Sequence, residues 1–169
     1  MAEKRQVYYI RPFQIDKSVI LGADHAGVEM KEWIKKILDG LHIQYEDMGS
    51  YDEKSTDDYP TFARKVARAV VATGVKGILV CGSGTGMAIA ANKVNGVRAS
   101  FAFDTYSAKM ARRDNDANVL TLRGREFPKS EIKIVVETWL STPFSGLERH
   151  RERIEEVRKL EDEAREEKE

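Results

Sequence analysis

A chain of 169 residues is long enough to bury the core of one ordinary domain without disulfides or a structural metal. Its 28 basic and 28 acidic residues give a formal net charge of +0, so no overall field attracts nucleic acid or an acidic membrane surface. A single cysteine, no secretory signal and apolar runs well below the ~20 residues of a bilayer span predict a cytoplasmic protein with no membrane partner.

Short apolar runs alternate along the chain with longer segments of helical period. The apolar runs predict five strands, at residues 18–23, 43–48, 76–81, 97–103 and 118–123. The segments between them predict helices at residues 28–38, 59–72, 85–94, 105–113 and 129–140. Because the strands are mostly apolar rather than alternating, we expect them to lie parallel and to be covered on both faces. The predicted fold class is α/β, a Rossmann-like three-layer doubly wound sheet of five mainly parallel strands.

The two ends of the chain differ from this predicted domain, which spans residues 18–145. Residues 1–17 form an N-terminal extension without an interpretable motif, in which VYYI fits an added edge strand or a subunit contact. Residues 146–169 are densely charged and predict a helix that belongs to the same domain. Ser145 and Glu148 have the spacing of a capping box that would start this helix.

The predicted C-terminal helix carries a narrow apolar stripe on an otherwise polar surface. A stripe of this width suits packing against one partner surface, so we expect the helix to contact a partner subunit. The stripe consists of Leu147, Ile154, Val157 and Leu160.

Cys81 ends the third predicted strand, and the loop after it has glycine at positions 82, 84 and 86. Glycines let backbone N–H groups approach an anion closely, and a helix that begins near Thr85 adds its positive end. The same surroundings favour a thiolate, which can act as a base. The competing interpretation is a tight turn beside an inert buried cysteine. A nicotinamide site is a further alternative, but the GxGxG spacing is one residue shorter than the dinucleotide pattern.

Polar residues follow other predicted strands as well. Asp24 and His25 follow the first strand, and Arg125 follows the fifth. Ligands of doubly wound sheets bind beyond the carboxyl ends of the strands, so these residues are candidates for one site. Asp24 as a helix cap and His25 as a surface histidine are the alternative interpretation.

Five segments occur in order between residues 18 and 153: ILGADHAG, DYP, VCGSGTGMAIAANKV, SAKMARRDNDANVL and RHRER. Together they resemble the ribose 5-phosphate isomerase B and galactose 6-phosphate isomerase family. The resemblance implies a Rossmann-like fold and a homodimer or dimer of dimers whose active sites lie between subunits. It also implies metal-free aldose–ketose isomerisation of a phosphorylated sugar through a cis-enediolate, without a cofactor. The scattered histidines show no zinc-ligand spacing either.

The resemblance assigns roles to the residues that follow the strands. Cys81 takes the position of the base, and His25 helps with ring opening or contacts the phosphate. Asp24 bonds sugar hydroxyls, and Tyr59 lines the pocket. The loop would hold the enediolate oxygen with its amides, and its first hydroxyl would relay a proton or orient the sugar; this loop comprises Gly82, Ser83, Gly84, Thr85 and Gly86.

Arg149 and Arg153 lie four residues apart on the predicted last helix and therefore share one face. The resemblance implies that they grip the substrate phosphate, with Arg125 as a third candidate and Asn115 reaching in from the other subunit. A solvated face on which neighbouring glutamates pair with the arginines is the plain alternative. The GLERH run is also one residue longer than the family's usual GGRH.

Asp114 occupies the position at which the family usually has the histidine assigned to ring opening. A carboxyl is ordinarily ionised at neutral pH, so it is a poor proton donor there unless burial favours its protonated form. The sequence therefore predicts isomerisation of ribose 5-phosphate to ribulose 5-phosphate, a step of the pentose phosphate pathway, with Asp114 as a candidate catalytic residue. The alternatives are a phosphohexose isomerase acting on allose or galactose 6-phosphate, and a non-catalytic sugar-phosphate-binding subunit.

Overall fold

The structure, a computed structural model, describes residues 18–166. The predicted N-terminal extension, with its VYYI run, lies outside the described residues. Five strands form one sheet in which every neighbouring pair is parallel, in the order β2-β1-β3-β5-β4. The strands are β1 (Ser18–Ala23), β2 (Gln44–Asp47), β3 (Lys76–Cys81), β4 (Ala99–Phe101) and β5 (Val119–Arg123).

Helices cover both faces of this sheet, as the apolar strands predict. They are α1 (Val28–Gly40), α2 (Tyr59–Thr73), α3 (Thr85–Ala91), α4 (Thr105–Asn115), α5 (Lys129–Ser141) and α6 (Glu148–Glu166). A single 3₁₀ turn, His25–Gly27, lies between β1 and α1. No helix among residues 18–166 is long and apolar enough to cross a membrane.

Two buried clusters hold the layers together, one on each face of the sheet. Side chains of α1, α4 and α5 form the first cluster with one set of strand residues, and Trp139 is fully buried in it. Side chains of α2 and α3 form the second cluster, which also includes Cys81. The predicted doubly wound, three-layer α/β fold is therefore confirmed.

Some boundaries differ from the prediction, and α3 shows the reason most clearly. This helix ends at Ala91 rather than at residue 94 because the Asn92 side chain turns back to the sheet. Asn92 donates a hydrogen bond to the Ala99 carbonyl and accepts one from the Ala99 N–H, each 2.8 Å long. These two bonds end the helix and fix the start of β4, which is also shorter than predicted.

The predicted capping box at the start of α6 is wrong. The helix begins at Glu148, and the Ser145 N–H donates instead to the Arg113 carbonyl, 2.9 Å away. The Ser145 hydroxyl accepts from the Leu147 N–H and lies 2.7 Å from Nδ1 of the buried His150. A contact with α4 therefore takes the N–H that a capping box would use, and the hydroxyl bonds to residues other than Glu148.

The strand order places a topological switch between β1 and β3. The chain leaves β1 for β2 on one side and then returns to β3 on the other, so the loops after β1 and β3 diverge. Crevices at such switch points are the usual ligand sites of doubly wound folds. The loop that carries Asp24 and His25 and the loop that follows Cys81 flank this crevice.

Candidate active site

A cavity of about 630 Å³ opens at the carboxyl edge of β1, β3 and β5. It brings together eight of the residues that the sequence proposes for the site, although they come from four separate segments. Its lining consists of Asp24, His25, Ala26, Tyr59, Cys81, Gly82, Ser83, Gly86, Phe101, Arg123, Arg125 and Glu126.

Cys81 lines this cavity at the point where β3 ends. Its side chain is 4% exposed, and its sulfur accepts a hydrogen bond from the Gly84 N–H at 3.1 Å. The thiol is therefore held in place by the glycine loop while it still lines the cavity. This arrangement differs from that of an inert core cysteine, which would have only apolar neighbours.

The loop after Cys81 needs glycine at position 84 for two reasons. Gly84 has a φ of +79°, and a Cβ at this position would lie 2.6 Å from the Phe101 ring and 2.8 Å from the Leu122 carbonyl carbon. Only glycine allows this left-handed conformation and this close approach together. Further along, Ser83 and Thr85 share a hydrogen bond of 2.9 Å between their hydroxyls. Thr85 is exposed beside the cavity rather than part of its lining.

Asp24 combines a structural role with its place in the cavity. Its carboxylate accepts a hydrogen bond from the Gly27 N–H at 3.1 Å and so caps the 3₁₀ turn that follows β1. Burial raises the pKa of Asp24, although the nearby His25 and the bond from Gly27 partly offset this effect. The capping role that the sequence left open is therefore present, and the same side chain still faces the cavity.

His25 is held by Asp57, a residue that sequence reasoning missed. The His25 backbone N–H donates to Asp57 Oδ1 at 2.9 Å, and the imidazole Nδ1 lies 3.2 Å from the Asp57 carbonyl oxygen. Burial by itself would raise the pKa of Asp57, but hydrogen bonds from Ser50, Ser55 and His25 outweigh it and lower that pKa. The only signal in the sequence is a second aspartate beside the DYP run, which does not connect to position 25 without the fold.

Two arginines from the end of β5 also line the cavity, and only Arg125 is among the predicted site residues. Its guanidinium lies against Gly82, with Nη1 3.3 Å from the point that a Cβ of residue 82 would occupy. Arg123 is the parallel-strand partner of Cys81 and stacks its guanidinium over the Phe127 ring at 4.6 Å. A pattern of alternating strand residues cannot reveal such an arginine, because it lies where β5 leaves the sheet.

The other predicted residues of the site lie elsewhere in the same chain. Helix α4 starts at the carboxyl edge of the sheet and runs back, so Asp114 and Asn115 lie near the opposite edge, just before β5 begins. Arg149 donates from Nε to Nε2 of His150 at 3.2 Å, and Asp114 Oδ1 lies 3.6 Å from Nδ1 of the same histidine. Asn115 and Arg153 line a second pocket of about 270 Å³.

Residues 18–166 therefore hold the proposed site in two separate parts. The first part is the cavity at the carboxyl edge, which Cys81 lines. The second part consists of residues from α4 and α6, none of which lines that cavity in the described chain: Asp114, Asn115, Arg149 and Arg153. Within the same described residues, no group of three or more His, Cys, Asp or Glu side chains could hold a metal ion.

The fold and the cavity define a Rossmann-like α/β protein with a small-molecule site at the switch point of its sheet. Comparison with known proteins narrows this class. The family model described as Ribose/Galactose Isomerase matches residues 19–157. The chain belongs to this family, which confirms the resemblance stated from the sequence motifs.

Individual relatives agree with the family assignment. The chain is 42% identical over 140 residues to the putative sugar phosphate isomerase YwlF of Bacillus subtilis, covering 82% of this chain and 93% of the relative. It is 38% identical over 146 residues to ribose-5-phosphate isomerase B of Escherichia coli, covering 86% of this chain and 97% of the relative.

Solved structures extend the similarity to three dimensions. Ribose-5-phosphate isomerase B of Clostridium thermocellum matches with a TM-score of 0.84 at 37% identity, covering 87% of this chain and 99% of that one. The enzyme of Mycoplasma genitalium, solved with bound ribulose-5-phosphate, matches with a TM-score of 0.82 at 36% identity, covering 86% and 97%.

Proposed function

We propose that this chain isomerises ribose 5-phosphate to ribulose 5-phosphate in the cytoplasm. The observation that carries the proposal is a buried thiol, Cys81, that lines the cavity and accepts a hydrogen bond from the Gly84 N–H of the glycine loop. Relatives that carry the name ribose-5-phosphate isomerase B support the choice of substrate. The absence of a histidine at position 114 leaves a hexose phosphate as the second candidate.

Ring opening is the first step, because ribose 5-phosphate is mainly cyclic. His25 takes the proton of the anomeric hydroxyl, the bond between C1 and the ring oxygen breaks, and the same proton passes to the ring oxygen. Asp57 acts as a positioning residue, since it holds both the backbone and the imidazole Nδ1 of His25. Its lowered pKa keeps a carboxylate beside the imidazole, which favours the protonated ring that forms transiently.

Proton transfer between carbons follows in the open-chain sugar. The Cys81 thiolate takes the C2 proton, the C–H electrons form a C1–C2 double bond, and the carbonyl electrons move onto O1. The thiol then returns the proton to C1 as a carbonyl forms at C2, and the proton of O2 passes to O1. Loop amides from Gly82 to Gly86 would stabilise the enediolate oxygen, since preorganised donors act where charge develops.

The remaining cavity residues orient the sugar. Asp24 accepts hydrogen bonds from sugar hydroxyls, and Ser83 offers a hydroxyl that relays the O2 proton. Tyr59, whose ring lies against Gly86, forms one wall. Thr85 holds the Ser83 hydroxyl in place through their shared hydrogen bond.

A second copy of the chain completes the site in this proposal. Arg149 and Arg153 of the partner would grip the phosphate, together with Arg125 of the first chain, and Asn115 and Asp114 would bond the sugar. The support is spatial, because these residues lie away from their own chain's cavity. The stripe residues Leu147, Val157 and Leu160 are exposed on the described chain, as expected of a surface that a partner covers. We therefore propose a homodimer, or a dimer of dimers, with shared sites.

A substrate panel on the purified full chain tests the proposed function. We expect turnover of ribose 5-phosphate to exceed that of allose 6-phosphate and galactose 6-phosphate, and Cys81→Ala to lower kcat by roughly 10²- to 10⁴-fold. Higher catalytic efficiency on a hexose phosphate would favour the second candidate. Binding of the sugars without any turnover would contradict both and favour a non-catalytic subunit.

A further inference from the structure

Arg123 lines the cavity but has no part in the chemistry described so far. It is the parallel-strand partner of Cys81, so the two backbones lie on neighbouring strands about 4.8 Å apart. Both side chains leave the sheet at its carboxyl edge and line the same cavity. Arg123 therefore lies beside the thiol at the carboxyl edge of the sheet, and not among the residues of α4 and α6.

The guanidinium of Arg123 has unused hydrogen-bonding capacity. Its Nε is buried without a hydrogen-bond partner, and within residues 18–166 the guanidinium forms no ion pair. Buried donors in proteins are nearly always satisfied, so this N–H shows that the protein itself does not saturate the guanidinium. The terminal nitrogens of the half-buried side chain are left to bond an acceptor in the cavity. The acidic side chains of the cavity lining, Asp24 and Glu126, form no ion pair with it either.

Stacking over Phe127 restricts the orientation of this guanidinium. The planar group lies 4.6 Å from the ring centroid, and Phe127 is itself buried. A guanidinium fixed in this way offers a planar pair of donors with little loss of conformational freedom. Such a pair matches two oxygens that lie in one plane about as far apart as those of a carboxylate.

We propose that Arg123 binds the two oxygens on the reacting carbons of the substrate, O1 and O2, and stabilises the negative charge that develops on them in the enediolate. This inference rests on the proposed function, because it places the reacting carbons beside Cys81. Because the donors lie in one plane, we expect the ligand to be a phosphorylated sugar derivative with a planar oxyanion at C1. The enediolate is one such group, and a stable carboxylate is another. The phosphate lies at the other end of the sugar, near Arg125 and the partner's α6.

A purely structural role for Arg123 would be to cover Phe127. Arg123→Met separates the two roles, because methionine keeps a long flexible side chain over the ring and removes the charge and the donors. Arg68→Met is the matched control, since Arg68 is exposed on the outer surface of α2. Thermal unfolding of both variants shows whether packing over Phe127 is retained.

Calorimetric titration with two inhibitors tests the proposal without any turnover. Ribonate 5-phosphate carries a carboxylate at C1, whereas ribitol 5-phosphate carries a neutral hydroxymethyl group there and is otherwise the same. We expect the wild type and Arg68→Met to bind ribonate 5-phosphate at least about tenfold more tightly than ribitol 5-phosphate, because the carboxylate partly mimics the transition state. Arg123→Met should bind the two compounds within about twofold of each other, and its kcat on ribose 5-phosphate should fall by about 10²-fold.

Other results overturn the proposal in distinct ways. The proposed contact between Arg123 and the oxygens at C1 is contradicted if the wild type binds the two inhibitors equally. It is also contradicted if Arg123→Met still prefers ribonate 5-phosphate. If Arg123→Met weakens both inhibitors equally, the arginine binds the phosphate instead. If the preference depends on Arg123 but the wild type turns over no sugar phosphate, the contact stands and the proposed isomerase activity fails.

Discussion

The proposed site has two parts, the cavity at the carboxyl edge of the sheet and the residues at the ends of α4 and α6. The chain assembles the first part into a formed cavity, but it does not do so for the second. In the cavity, β1, β3 and β5 bring their loops together, and Gly84 and Asp57 fix the positions of Cys81 and His25. At the other end, Asn115 and Arg153 line only a small pocket of about 270 Å³.

This difference shows which parts of a site one chain can preorganise. Parallel strands end at the same edge, so residues that follow different strands meet there in a single chain. Residues at the end of α4 lie at the opposite edge and cannot reach that cavity in the same chain. They can contact a substrate only in the cavity of a second chain, which is the basis of the shared site that we propose.

The largest expected effect comes from combining one defect from each region. Cys81→Ala and Arg153→Met should each lower turnover by at least about 10²-fold in a homodimer. In a dimer with one chain of each kind, one of the two sites has both parts intact. Co-expressed chains that mix at random should therefore recover about a quarter of the wild-type activity, because half the dimers are mixed and each has one working site. The measurement is kcat of the mixed preparation.

A matched mixture controls for this result. Cys81→Ala combined with His25→Ala places both defects in the same region, so neither site of a mixed dimer is intact and no activity should return. Recovery in this control would mean that the mixing itself restores activity. Absence of recovery in the first mixture, with subunit exchange demonstrated, would contradict the shared site.

A second experiment tests how strongly the cavity depends on its loop geometry. Gly84→Ala adds a Cβ against Phe101 and the Leu122 backbone at a φ of +79°. We expect a loss of about 2–5 kcal/mol in the free energy of unfolding and of about 10²-fold in kcat. The measurements are chemical denaturation and steady-state kinetics.

Gly74→Ala is the matched control for that loop. Gly74 ends α2 with a φ of +72°, but nothing lies within 4 Å of an added Cβ. The substitution should cost only about 1 kcal/mol of stability and leave kcat unchanged. Equal effects of the two substitutions would show that positive φ alone, and not the close approach in the cavity, requires glycine at position 84.

Asp57→Asn keeps the oxygen that accepts from the His25 N–H and the backbone carbonyl beside Nδ1, so it tests the charge of the carboxylate and should have a smaller effect. We expect turnover of ribose 5-phosphate to fall by roughly 10- to 100-fold, because the imidazolium that forms during ring opening loses its neighbouring carboxylate. Ribulose 5-phosphate has no ring because its 5-hydroxyl is esterified, so exchange of its C1 hydrogen with deuterated solvent needs Cys81 but no ring opening. That exchange, followed by NMR, should stay within about twofold of the wild type. An equal loss in both measurements would point to general damage to the cavity.

The smallest effect concerns α4, the helix that connects the two regions. Asp104 caps its first turn, and the Ser107 hydroxyl and N–H hold the pKa of Asp104 below its ordinary value. A lowered folded-state pKa adds stability above the unfolded value of 3.8, and this stability is lost as the pH falls through the folded pKa. Asp104→Asn keeps the cap but does not titrate, so its unfolding free energy should fall less steeply over this acid range. Parallel curves for the two proteins would contradict this role of Asp104.

Much of the fold is accessible from the sequence, because apolar strands and helical periods are local patterns. Strands β1 and β3 have the predicted bounds, and five helices start at the predicted residues. Boundaries fail where a tertiary contact decides them. Asn92 ends α3 by bonding to β4, and Ser145 bonds to α4 instead of forming a capping box.

The site is accessible from the sequence where a residue directly follows a strand or belongs to a family motif. Asp24, His25 and Cys81 follow strands, and the cavity contains all three. Asp57 and Arg123 could not be predicted, because their importance comes from what they contact across the fold. Asp57 is 32 positions from His25 in the chain, and Arg123 becomes a neighbour of Cys81 only through strand pairing.

The central claim is that the Cys81 sulfur moves a proton between two carbons of a sugar phosphate. The most direct measurement is proton NMR of ribose 5-phosphate incubated in deuterated water with the wild type and with Cys81→Ala. We predict that the wild type forms ribulose 5-phosphate and introduces solvent deuterium at the carbons that exchange the proton, and that the variant does neither at a measurable rate. Deuterium incorporation at the same rate with the variant would contradict it.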